Sequence, residues 1–273
     1  MLALLALLAC SPPQRLAPVS ATAWGDPHML TVSGDYYSFQ ATGAFVLLRS
    51  ADRALEVQAL LAPLGTSRQV SVIQAIATHT GGHRITLDAD RPEPLWINGV
   101  PSPLAVGETH ASVARTHPET WVIHTPDGSR VRVSDFAGLA VRIDLSPGAA
   151  DARGLLGREP PLAATQPQTA QDPLYADFAR RWRLAAGSLL DTPLDAAELD
   201  YPARAGFPPD TVRAVQACAG AGVLGSLARK SCMFDVSISG DHRLAGAYAL
   251  LSGELPQAPA RYLTPADQSQ LSP

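Results

Sequence analysis

Val70-Ser71-Val72-Ile73-Gln74-Ala75-Ile76, then Gly81-Gly82, then Arg84-Ile85-Thr86-Leu87: this run decides the fold. Bulky apolar residues recur near every second position, the spacing that puts them on one face of a pleated strand. The paired glycines between the two segments supply the backbone a tight hairpin turn needs. Working outward, similar short segments precede it at Ala44-Phe45-Val46-Leu47-Leu48 and Leu55-Glu56-Val57-Gln58-Ala59-Leu60. Others come later at Trp121-Val122-Ile123, Val131-Arg132-Val133 and Leu139-Ala140-Val141-Arg142-Ile143, with turns at Asn98-Gly99 and Asp127-Gly128. Many short strands with regular turns and no helical period predict a mainly β, antiparallel sandwich-like domain over residues 24–157.

Beyond Gly157 the texture changes. Residues 158–173 hold Pro, Gln and Ala and read as a linker loop. From Asp172 to Leu184 the sequence predicts a helix carrying Tyr175, Phe178 and Trp182 on one face. Pro208-Pro209-Asp210 is a helix start ahead of Thr211–Ala219, and Leu224–Val236 and Leu244–Leu251 read as further helices. A small α-helical module is therefore expected over 174–252, with a polar, frayed tail over 253–273.

The chain has 273 residues, is 46% apolar and carries a net charge of -4. That is enough apolar material for a core, and the absence of a basic run removes electrostatic support for a nucleic-acid role. Met1–Ala9 is a short apolar run, too short to span a bilayer but suited to a signal peptide. With Leu7-Leu8-Ala9-Cys10 it resembles a bacterial lipobox, so residues 1–10 read as a signal with lipidation at Cys10. The alternative is a plain signal peptide with an incidental cysteine and a secreted product. Residues 11–23, rich in Pro, Ser and Ala, read as a tether. Cys218 and Cys232 lie close together, and their spacing points to a disulfide in an oxidising compartment, with two buried free thiols as the alternative.

The sequence holds no Gly-x-Ser-x-Gly elbow, no Walker loop and no His-Glu-x-x-His. His79 and His83 flank a glycine turn and lack a third ligand, and His110, His117 and His124 recur at a spacing without strand periodicity, so no metal is expected from them. No enzyme is expected.

The stretch Trp24-Gly25-Asp26-Pro27-His28, continuing Leu30-Thr31-Val32-Ser33-Gly34 and Tyr36, Tyr37, Phe39, resembles the opening of a von Willebrand factor type D domain. Leu95-Trp96-Ile97-Asn98-Gly99 is similar to that family's middle element, and Gly154-Leu155-Leu156-Gly157 to its closing Gly-Leu-Cys-Gly turn. Phe178–Asp191, Cys218, Ser231-Cys232-Met233-Phe234-Asp235-Val236 and Ser239-Gly240-Asp241 resemble the segments C-terminal to that turn in bacterial members. Animal members carry cysteines near Leu47 and at Leu156, so the resemblance implies that apolar packing replaces disulfides there. It also implies a calcium loop, for which Asp26, Asp35 and Glu159 are the candidate oxygen donors. Ser33 and Arg158-Glu159-Pro160 stand where the family places its acidic ligands, so no cofactor is expected.

In some relatives the Gly-Asp-Pro-His segment breaks itself at the Asp-Pro bond, which makes Asp26, Pro27 and His28 candidates for self-cleavage. The preferred reading is a structural turn, with backbone N–H groups or His28 holding the Asp26 carboxyl at a low pKa. The function these readings imply is an exported, lipid-anchored adhesion or surface-recognition module binding a protein, matrix or glycan partner. Its expected place is the bacterial cell envelope, as an outer-membrane or cell-surface lipoprotein. Self-processing at Asp26-Pro27 and a periplasmic assembly role are the alternatives.

Overall fold

The computed structural model describes residues 19–65, 70–136, 138–149, 151–158, 173–184, 188–190, 211–253, 255 and 261–262. The chain runs first through β1 (Val19–Trp24), β2 (His28–Leu30), β3 (Asp35–Ser38), β4 (Gly43–Ser50), β5 (Glu56–Pro63), β6 (Ser71–Thr80), β7 (His83–Asp88), β8 (Leu95–Ile97) and β9 (Val100–Pro101). It continues through β10 (Thr109–His110), β11 (Val113–His117), β12 (Thr120–His124), β13 (Arg130–Asp135), β14 (Leu139–Leu145) and β15 (Ala152–Arg153). Next come four helices, α1 (Pro173–Trp182), α2 (Thr211–Gly220), α3 (Ser226–Ser239) and α4 (Arg243–Leu251), and then a short strand, β16 (Arg261–Tyr262).

Among the described residues the strands form two sheets, one ordered β10-β11-β12-β13-β14-β1-β2-β3-β16 and the other β15-β4-β5-β6-β7-β8-β9. Neighbours are antiparallel except β16, which lies parallel to β3. The sequence's hairpin is present: Thr80 pairs with His83 across Gly81-Gly82, and Ala75 pairs with Asp88 at its far end.

Strand periodicity sorts the side chains into layers. Met29, Tyr37, Val141 and Ile143 point inward from one sheet and meet Phe45, Leu61, Ile73 and Leu87 from the other, forming the main core. From the same strands, His28, Leu30, Tyr36 and Ala140 occupy the opposite face, and Leu30 and Ala140 share a second apolar cluster with α2, α3 and α4. The β1-β2-β3-β14 region is therefore covered on both faces.

The helical layer is cross-linked. Cys218 on α2 and Cys232 on α3 form a disulfide with 6.2 Å between their Cα atoms, and both residues are buried. Closing a loop of this size stabilises a fold by about 3 kcal/mol in the chain-entropy description. On α3 the buried residues Leu227, Ala228, Ser231, Cys232, Asp235 and Val236 obey helical spacing.

Three boundaries differ from the sequence reading. Val19–Ala23, expected in the tether, is a central strand, pairing with β14 from Val19↔Leu145 to Ala23↔Val141. Helix α1, expected within the helical module, packs on the sandwich instead: Phe178 joins the main core beside Tyr37 and Phe39. The polar tail is not wholly frayed, because Arg261 and Tyr262 pair with Asp35 and Tyr36. Cys10, the signal and lipobox, residues 11–18 of the tether, residues 159–172 of the linker and the Tyr175 side chain lie outside the described residues.

The closing turn shows what stands in for the family's cysteines. Leu155 N–H donates to the Val46 carbonyl and Leu156 N–H to the Leu47 carbonyl, at 3.1 and 2.8 Å, so the turn lies against β4. Leu47 and Leu156 are both buried in the main core. Gly154 has φ +123°, and a Cβ there would lie 2.7 Å from the Leu47 carbonyl oxygen, so the approach requires glycine. Leu156→Ala should lower unfolding free energy by about 2–5 kcal/mol. Urea denaturation monitored by tryptophan fluorescence checks this; a midpoint unchanged at constant slope would mean that Leu156 does not hold the turn.

Candidate functional site

The turn Gly25-Asp26-Pro27 joins β1 to β2, with Trp24 paired to His28 across it. Gly25 has φ +63°, which sends the Asp26 N–H toward α3, where it donates to Asp235 Oδ2 at 3.2 Å. A Cβ on Gly25 would collide with Tyr248 Oη and Asp235 Oδ2. The absent side chain is what lets sheet and helices close on each other.

The turn, three strands and two helices build the cluster that results. His28 Nε2 lies 2.7 Å from Asp235 Oδ1 and 3.0 Å from Asp26 Oδ1. His28 Nδ1 lies 2.7 Å from Tyr36 Oη, which in turn reaches Ser231 Oγ at 3.2 Å. Tyr248 Oη donates to Asp235 Oδ2 at 2.5 Å. Trp24 and Phe234 flank the imidazole, with ring centroids 5.8 and 5.9 Å away. Asp26, His28 and Asp235 are each at most 3% exposed.

Asp235 is well supplied with donors: the Asp26 N–H, the Tyr248 hydroxyl and the His28 ring all reach it. Asp26 is not. Its Oδ1 has the His28 Nε2 within reach at 3.0 Å, but that ring nitrogen lies closer to Asp235, at 2.7 Å. Burial raises the Asp26 pKa well above the ordinary carboxylate range, the nearby Asp235 raises it further, and His28 only partly opposes them. This corrects the sequence reading of a low pKa, because no backbone N–H group reaches the carboxyl and the helices seal it from water. For His28, burial works to lower the pKa, but Tyr36, Asp235 and Asp26 together outweigh it and raise the value well above that of a free imidazole. Burial raises the hydroxyls of Tyr36 and Tyr248, so both stay protonated, and Tyr248 donates to Asp235.

The backbone of the same turn is also held. Gln40 Nε2 donates to the Asp26 carbonyl oxygen at 2.9 Å, and Gln40 Oε1 accepts from the Ser71 N–H at 2.9 Å. The carbonyl of the Asp26-Pro27 bond is thereby polarised by an amide from the loop after β3.

The structure brings Trp24, Gly25, Asp26 and His28 together as the sequence suggested, and adds Gln40, Tyr36, Ser231, Asp235 and Tyr248. The last three lie about 200 positions away along the chain, and nothing in Phe234-Asp235 marks it as a partner of His28. Gly154 and Gly157 belong to the closing turn, and Asp35 pairs with Arg261 outside the cluster. The loop that resemblance assigns to calcium places Ser33 Oγ against the Arg158 backbone carbonyl at 3.5 Å, and Glu159 lies outside the described residues. A hydroxyl and a guanidinium-bearing residue do not fit an ion that takes six to eight oxygens. His79, His110, His117 and His124 are exposed on their strands and join no metal-type cluster among the described residues.

Two facing antiparallel sheets, a buried joint at the Gly-Asp-Pro-His turn and a disulfide-tied helical layer define a sandwich-type module built for an oxidising environment. The profile of the von Willebrand factor type D domain matches residues 21–158, just over half of the chain, and the chain belongs to that family. Domains of this family are typically extracellular, and as a family they are non-enzymatic. A comparison with curated proteins finds no match. Among the described residues no helix is long and apolar enough to cross a membrane.

The joint makes a direct prediction. Gly25→Ala combines a disfavoured backbone angle with a clash against Tyr248 and Asp235. It should undock the helical layer while the sandwich persists, seen as faster proteolytic cutting within residues 211–253. Equal protection in variant and parent would mean that the joint relaxes around the methyl group.

Proposed function

We propose that this chain is an exported, surface-anchored recognition module that binds a protein, matrix or glycan partner. Family membership supports the exported setting, as does a buried disulfide, which persists where thiols are not kept reduced. The observation that carries recognition lies at one side of the sandwich. β9 and β10 are terminal strands of the two sheets, and the segment between them passes from one sheet to the other. Val100 and Val106 on this side are 60% and 53% exposed, beside a groove lined by Leu104, Glu108 and His110. Apolar side chains left in water beside strand edges are the usual material of a binding surface.

Anchoring would come from Cys10. Cys10→Ala should move the protein from the membrane to the soluble fraction and remove an acyl mass. A variant that stays in the membrane fraction, with no acyl mass on the parent, sinks the anchor. Val100→Asp with Val106→Asp should then abolish adhesion of cells displaying the chain to the surface they bind. Unchanged adhesion would move recognition elsewhere.

One observation favours self-processing as a second reading. The Asp26 carboxyl shares the His28 ring with Asp235 and is not held by a backbone N–H group, and Gln40 polarises the carbonyl it would attack. In that reaction a carboxyl oxygen bonds to the Asp26 carbonyl carbon, the bond to the Pro27 nitrogen breaks, and the acid proton passes to that nitrogen. A cyclic anhydride remains, which water opens to two carboxyl groups. The β1 strand would stay paired between β14 and β2 after the cut. Native size should therefore not change, while denaturing mass spectrometry should show a fragment starting at Pro27 that Asp26→Ala abolishes. An intact mass over days between mildly acidic and neutral pH removes this reading.

A further inference from the structure

We infer that Asp26, His28 and Asp235 form a binding site for one divalent transition-metal ion of the zinc class, at the joint between the sandwich and the helical layer. Their donor atoms all lie within 4.8 Å of one another, and all three residues are buried. One imidazole nitrogen and two carboxylates is a donor set that suits zinc and its neighbours and not calcium.

Three further features fit. First, the Asp26 carboxyl points into the cluster, where its Oδ1 lies 3.0 Å from the His28 Nε2 that Asp235 engages at 2.7 Å, so both carboxylates converge on one nitrogen. Second, the far nitrogen of His28 is held by Tyr36, and Tyr36 by Ser231. That fixes the ring with Nε2 facing the carboxylates, the outer-shell arrangement found behind metal-binding imidazoles. Asp235 is held in the same way by Tyr248 and the Asp26 N–H. Third, a cavity of about 20 Å³, walled mostly by apolar residues such as Val70, Phe136 and Leu251 but reached by Asp26, Asp235 and Tyr248, adjoins the cluster. That is room for one water molecule, the usual fourth ligand where the protein supplies three.

Tetrahedral zinc spaces its nitrogen and oxygen ligands about 3.3–3.5 Å apart. The distances of 2.7 and 3.0 Å from His28 would need to open by roughly half an ångström, a small rotation of two aspartate side chains. A bound cation engages the Asp26 carboxylate and so opposes its attack on its own carbonyl. This site and the self-processing reaction make opposite demands on one side chain.

The test uses the full chain without a histidine tag, made through an oxidising compartment so that Cys218 and Cys232 are bonded and cannot act as thiolate ligands. Elemental analysis should find about one zinc per chain, and chelator-stripped protein should take up one Co²⁺ with the visible absorption of a tetrahedral ion. Asp235→Asn, close in shape, should weaken Zn²⁺ binding by more than the roughly 10–100-fold that losing an outer-shell partner costs. Replacing His79 and His83 by Ala should change nothing. A parent that holds no metal as purified and gives no Co²⁺ spectrum overturns the inference, and protons alone then neutralise the cluster. A folded Asp235→Asn chain that binds as tightly as the parent also overturns it. Should Asp235→Asn fail to fold, Asp26→Asn is judged by the same measure.

Discussion

The contact between His28 and Asp235 joins positions 207 residues apart, and much of the architecture serves to make it. A buried carboxylate and imidazole are costly unless they meet each other with good geometry, and removing one partner from such a pair typically costs about 3–5 kcal/mol. The meeting needs a strand order that brings β2 beside β1, a positive φ at Gly25, and α3 held at a fixed depth. Cys232 lies one helical turn before Asp235, so the disulfide to α2 fixes the stretch of helix that delivers the carboxylate. Local conformation, cross-link and buried charge thus act on one joint.

The two halves of the molecule are held by different means for a reason of size. The sandwich buries apolar residues from both sheets in one continuous core, and Leu47 and Leu156 fill positions where animal relatives are cross-linked. The helical layer has a smaller cluster of its own, built from short helices on the outer face of a sheet. A small core supplies less stabilisation, and a covalent bridge compensates for that. The one disulfide among the described residues sits in this helical layer and not in the sandwich core.

Much of the fold was legible because period-two patterning is a local property. Val70–Ile76 and Arg84–Leu87 alternate by themselves, and Gly81-Gly82 turns by itself. β1 was hidden because Val19-Ser20-Ala21-Thr22-Ala23 is made of small residues that read equally well as a tether; its neighbours β14 and β2 make it a strand. α1 showed its apolar face but not its destination, since Phe178 is equally suited to a helix bundle or a sheet. At the site, Asp26 and His28 stood out as part of an unusual tetrapeptide. Asp235 did not, because an acidic residue on a helix is ordinarily solvated. The Asp26 pKa was misjudged for the same reason: its burial comes from helices that the local sequence does not mention.

The direction of the strands around the joint has a mechanical consequence. β1 and β3 run the same way, and β16 runs parallel to β3, so the chain enters this sheet at one end and leaves it at the other. Tension applied between residues before Val19 and residues beyond Tyr262 acts along the strands. It cannot open the ladder one rung at a time. At the N-terminal side it shears the five pairs of β1 with β14 and the three with β2 together, whereas at the C-terminal side β16 has only two pairs with β3. The strand that leads into Gly25 and Asp26 is thus the better-anchored end of the sheet, and under tension β16 gives way while the joint stays shielded.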